Sequence, residues 1–186
     1  MKATIIKYKT KNQIFNDFIS LVKEALNTFS IKDWDVRQLN QIFKINVLSP
    51  SVYISITNQR QYGTQGRRKK ETETGGETTN CVKQEVTIRF SASRRELVQD
   101  TLGTYSGLDI LEFVKTYLQS EAGIELLKDL GYAQYRASDI SPQNFLNDSD
   151  NFQFLPYFDC TFLYTNSWNN TVGEITKIKE KGIYKI

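Results

Sequence analysis

Four consecutive cations, Arg67, Arg68, Lys69 and Lys70, are the densest chemical feature of the chain, and guanidinium and ammonium groups at that spacing can hold phosphate or carboxylate oxygens. Glu71 and Glu73 follow at once, so the basic patch is local and partly self-neutralised. A second pair, Arg94-Arg95, stands alone, and no aromatic side chain is interleaved with either group as a stacking platform for bases. With nucleic acid, such residues would make charge-to-phosphate contacts without sequence readout. A third basic group, Lys177, Lys179 and Lys181, alternates along a β-branched C-terminal segment in the manner of a lysine-guarded sheet edge. Arg67, Arg68, Lys69, Lys70, Lys177, Lys179 and Lys181 are therefore the candidate residues for contact at an interface.

Covalent and metal chemistry find little to work with. The chain has no histidine, so it lacks the usual general base at neutral pH and the commonest metal ligand. Cys81 and Cys160 fall in strand-like runs rather than at helix starts, where a thiol pKa is usually lowered. Gly63-Thr-Gln-Gly66-Arg-Arg-Lys-Lys follows a strand as a phosphate loop would. It misses the Gly-Lys-Ser/Thr ending, and no helix pattern follows it. Asp139, Asp148, Asp150 and Asp159 could be imagined as a calcium or magnesium site, but their spacing matches no EF-hand loop. The expectation is a protein with no cofactor, no metal and no reaction to catalyse.

Composition agrees with a soluble, globular protein: 186 residues, 39% hydrophobic, 24% charged and 12% aromatic, with a net charge of +3 that by itself implies no nucleic-acid partner. That length suits one domain over residues 1–186 with an ordinary core. No apolar run approaches the roughly 20 residues of a bilayer span, and the N-terminus lacks a signal-peptide pattern, so the expected address is cytoplasmic, with no membrane partner. In that setting the two cysteines are expected as reduced, structural thiols.

The elements that must position the basic groups follow from periodicity. Val82, Gln84, Val86, Ile88 and Phe90 alternate with Lys83, Glu85, Thr87 and Arg89, the signature of a half-buried strand. Phe158, Cys160, Phe162 and Tyr164 alternate with Asp159, Thr161 and Thr165 in the same way, and the two runs are expected to be neighbours in one sheet. Ile14, Phe15, Phe18, Leu21, Val22, Ala25, Leu26 and Phe29 recur at helical spacing, with Asp17, Lys23, Glu24 and Asn27 on the opposite side and Thr10 or Asn12 as cap. Leu108 to Leu130 is a second helical segment, opened by a Ser106/Asp109 capping box, divided near Gly123 and closed by Gly131. Tyr132 to Ala137 returns as a strand, and Val52, Ile54 and Ile56 mark another. Residues 63–80, free of large apolar side chains, form a long arm between two strands; such a loop is either solvated and flexible or an ordered contact with a neighbouring subunit or nucleic acid. Residues 166–186 read as a C-terminal edge strand or tail. The fold class is α+β: a mostly antiparallel sheet with helices packed on one face and a long projecting β-arm.

This order of elements carries a resemblance. Ser51–Arg60, the polar arm, Gln84–Phe90, the helical Leu108–Ser120, the return Gly131–Asp139 and the aromatic strand Tyr157–Thr165 together resemble the neck and tail terminator (tail-completion) proteins of tailed bacteriophages, over roughly Lys11 to Thr165. The resemblance implies a ring of identical subunits, typically a hexamer, at the head-proximal end of the tail tube. Such a ring stops tube growth and offers a surface to the head-completion (neck) proteins. It implies a virion location after assembly in the host cytoplasm, and a lumen crossed by genomic DNA, which the basic arm could touch non-specifically. The chain departs from the pattern in the extended connection Ser93–Ser106 and in the lysine-rich segment after Thr165. The alternative is a small cytoplasmic nucleic-acid-binding module using the Arg67–Lys70 arm.

Overall fold

Apolar alternation over two long runs dictates the centre of the molecule, and in the computed structural model these runs become β5 (Gly75–Ser93) and β9 (Tyr157–Val172). They pair antiparallel through sixteen residue pairs, from Gly76 opposite Val172 to Ser91 opposite Tyr157. The structure describes residues 2–39, 50–72, 75–93, 105–142, 144–146 and 152–172. Arg94, Arg95, Asp148, Asp150, Lys177, Lys179 and Lys181, and with them most of the Ser93–Ser106 connection, lie outside the described residues.

Around the central pair the order is β1 (Lys2–Lys7), α1 (Lys11–Thr28), β2 (Asp35–Gln38), β3 (Ser51–Gln61), β4 (Gly66–Thr72), β5, α2 (Gly107–Gln119), α3 (Glu121–Asp129), β6 (Tyr132–Ala137), β7 (Asn144–Leu146), β8 (Phe152–Phe154) and β9. Seven strands make one sheet: β3 and β4 lie end to end along one side of β5, β1 and β6 along the far side of β9, and β2 outside β3. All pairings are antiparallel except β2 with β3. The short β7–β8 hairpin stands apart, so Phe152 and Phe154 do not simply lead into β9. The fold is α+β, as the periodicity predicts.

The helices cover one face. α1 opens with a capping box in which the Gln13 amide donates to Thr10 Oγ1 (3.2 Å) and the Thr10 amide to Gln13 Oε1 (2.9 Å). Its stripe Ile14, Phe15, Phe18, Leu21, Val22, Ala25 and Leu26 is buried. Phe18 reaches the sheet, its ring 4.6 Å from Phe162, 5.0 Å from Tyr132 and 6.2 Å from Phe90, centroid to centroid. Facing it are Val52 and Ile54 from β3, Val86, Ile88, Phe90 and Ala92 from β5, and Phe158, Cys160, Phe162 and Tyr164 from β9. The period of two puts all of these on one side.

The expected helix over Leu108–Leu130 divides three residues earlier than its glycine. Ser120 ends α2 and caps α3: its Oγ donates to the Tyr117 carbonyl (2.7 Å) and accepts from the Gly123 amide (3.2 Å). Gly123 permits that bend rather than forming it, because a Cβ there would stand 2.0 Å from the Tyr117 carbonyl oxygen. Gly131 closes α3 at φ 80°, the left-handed conformation that glycine adopts without steric cost.

Candidate assembly surface

The central ribbon runs on beyond its apolar core. Among the described side chains the outermost buried hydrophobic on β5 towards its N-terminal end is Val82, and on β9 towards its C-terminal end Tyr164; beyond them the pairing continues to Gly76 and Val172. β4 is added on one side, Gly66 opposite Cys81 through Thr72 opposite Gly75, and β1 on the other, Lys2 opposite Thr171 through Lys7 opposite Ser167. The residues expected to form a lone arm are thus a hairpin inside a four-stranded blade. β9 does not stop at Thr165 but runs on as one of the blade's two inner strands. Residues 75–81 alone carry the blade about 24 Å past the core.

The blade is tied to the body at its base. The Lys9 amide donates to Asn166 Oδ1 (3.1 Å), and Asn166 is itself buried. The Lys9 ammonium pairs with Asp17 and lies 4.2 Å from the centre of the Tyr132 ring. Tyr132 donates its hydroxyl to Asp17 Oδ2 (2.9 Å), and Gln59 Nε2 donates to the Tyr164 hydroxyl (2.7 Å). Burial, and then the neighbouring Asp17 carboxylate, push the Tyr132 hydroxyl well above its ordinary pKa. Asp17, which the helical pattern assigns to the solvent side of α1, is instead the hub of this clamp. Lys9, Asp17, Tyr132 and Asn166 carry no mark in the sequence, because the clamp joins three elements distant in the chain.

Each basic residue of the arm can now be placed. Arg67–Lys70 lie in β4, with Arg67 opposite Asn80, Arg68 opposite Thr79, Lys69 opposite Thr78 and Lys70 opposite Glu77. Arg67 is exposed, and β4 has no second strand beside it among the described residues. A basic run on an outer strand either guards that edge or offers it to an acidic surface.

The sheet's second face is polar and locked by ion pairs. Arg60 holds Glu85 through two bonds, Nε to Oε1 (3.0 Å) and Nη2 to Oε2 (3.3 Å), with the Glu85 side chain only 3% exposed. Arg89 holds Asp159 the same way (2.8 and 3.0 Å) while stacking 4.0 Å from the Tyr157 ring centre. Thr87 and Thr161 join hydroxyls between them (3.2 Å). Asp139 and Asp159 therefore do not meet: the first pairs with Lys115 (3.4 Å), the second with Arg89. Among the described residues no three metal-ligating side chains gather. Cys81 lies opposite Ser167 in the blade and Cys160 opposite Ile88 in the core, both as free thiols. Burial pushes the Cys160 thiol up to about 12.

The fold defines a class: an α+β protein whose sheet outgrows its core as a four-stranded blade with β4 and β1 on its outside among the described residues. Residues 13–174 match the family described as the E217 gateway protein gp29, which spans the body and both inner strands of the blade, and the chain belongs to that family. At the coarse level this agrees with a phage structural protein of the neck and tail-completion kind; the family matched is the gateway protein, not the tail terminator that the order of elements resembles. Among curated proteins no match is found.

Proposed function

We propose that the chain is a non-catalytic component of the phage head–tail connection that works by closing into a ring of identical subunits. In its finer form the ring is a hexamer at the head-proximal end of the tail tube. There it terminates the tube and joins it to the head-completion proteins, with the genome crossing its lumen. The observation that carries this reading is the blade: four strands held beyond the core, with no further strand outside β4 or β1 among the described residues, on a base clamped by Lys9, Asp17, Tyr132 and Asn166. Open sheet edges are a common means of joining copies head to tail. The family's description as a gateway protein suits a ring around a channel.

Light scattering on the purified chain tests it. A mass of several subunits, or a monomer that assembles only on tail tubes, with little salt-sensitive DNA binding, is the expected result. A permanent monomer that binds DNA with a steep loss of affinity as salt rises would replace this reading with the nucleic-acid-binding module.

A further inference from the structure

We propose that the cavity where α1, α2 and α3 meet receives β4 of a neighbouring copy, with the strand's cations against the cavity's carboxylates, an inference that rests on the ring reading and supplies its contact. The cavity, of about 540 Å³, is lined by Thr28 and Phe29 at the end of α1, Thr116 and Tyr117 of α2, and Glu121 and Glu125 of α3. The Phe29 ring stacks on Phe113 at 4.7 Å between centres, so one side of the cavity is an aromatic wall.

The occupant is identified by charge and spacing. Glu121 and Glu125 are exposed, stand about 6 Å apart along α3, and are in no ion pair among the described residues. A third carboxylate is close by: burial, and then the charge of Glu24, raise the Tyr117 hydroxyl above its ordinary pKa. No lysine or arginine lines the cavity among the described residues. The complementary feature is the run Arg67–Lys70 in β4, an outer strand of the blade on which Arg67 is exposed. Alternate residues of a strand recur about every 7 Å, so either Arg67 with Lys69 or Arg68 with Lys70 matches the two carboxylates in spacing. Their aliphatic stems would lie along the aromatic wall while their charged ends met the carboxylates.

The same geometry makes the donor another copy. α1 starts beside the blade, where the Lys9 amide bonds Asn166, and runs towards the other end of the sheet. Beyond α1 the chain enters β2 with Asp35 opposite Ser51, and Ser51 lies opposite Ser93 at the end of β5 away from the blade. Thr28 is about 16 Å past Asp17 and its clamp along α1. Arg67 lies the other way, opposite Asn80, outward of the Gln84–Tyr164 pair. Basic strand and acidic cavity therefore sit towards opposite ends of one chain, and joining them is a head-to-tail contact of the kind that closes a ring.

The test uses full chains. Arg68→Glu/Lys69→Glu and Glu121→Lys/Glu125→Lys should each raise the concentration for half-assembly about tenfold, and combining all four should restore it. In a Cys81→Ser background, a chain carrying Lys70→Cys mixed with a differently tagged chain carrying Thr116→Cys should form a disulfide between the two tags. Rings that form with no such charge dependence and no disulfide between tags would overturn the docking and leave the ring. A chain that never assembles, alone or on tail tubes, would overturn both.

Discussion

The two cysteines show what a single residue's surroundings decide. Cys160 is buried in the core, with its thiol held neutral, whereas Cys81 is partly buried in the blade. At pH 8 a thiol reagent should therefore label one site quickly in the native protein and the second only on unfolding. The pH dependence follows in sign. Cys160 has a raised pKa in the folded state, so its neutral form is favoured by folding. That contribution is intact below about pH 9 and declines between about 9 and 12, with Tyr132 adding to the loss above its ordinary range. Denaturant midpoints measured from pH 7 to 11 should fall only above about 9; a midpoint unchanged to pH 11 would mean that Cys160 and Tyr132 are more open to water than the core indicates. The strand position of Cys160 is legible in Phe158, Cys160, Phe162 and Tyr164, since a period of two sorts residues by face. The role of Asp17 is not, since a helical pattern describes one helix and cannot see Lys9 or Tyr132 arriving from other elements.

Among the elements, local signals are the most legible in the sequence. The Ser106/Asp109 capping box, the Thr10 cap, the Gly131 stop and the limits of β6 follow from residues within a few positions of each other, and each is found as expected, while the Gln13 half of the α1 capping box is added by the structure. The position of the α2–α3 break was displaced because the glycine marks where the backbone must come close, while the serine makes the cap. Gly123→Ala should cost about 2–3 kcal/mol in chemical denaturation, since the added methyl meets a backbone carbonyl that cannot swing aside. A variant as stable as the parent would mean that α3 can shift freely. The blade was legible only in part. Residues 63–80 lack apolar groups, which predicts projection but not what runs alongside, and the polar run Asn166-Ser-Trp-Asn-Asn of β9 gives no alternation to extend the strand beyond Thr165. Replacing Arg67, Arg68, Lys69 and Lys70 together with Ala should leave the circular dichroism spectrum and the denaturation midpoint unchanged while impairing assembly. Loss of the fold would place these residues in the body's stability rather than in contact.

At the scale of the whole molecule, core and blade share the same two central strands, so a load on the blade is transmitted along β5 and β9 directly into the layer under Phe18 and Phe162. That continuity favours a stiff connection over a flexible tether. The most direct measurement is a density map of the assembled particle in which contacts between subunits can be traced. The account predicts that residues 66–81 and 166–172 of each copy lie against the next one around a closed ring. A map in which both stretches touch only solvent would contradict it.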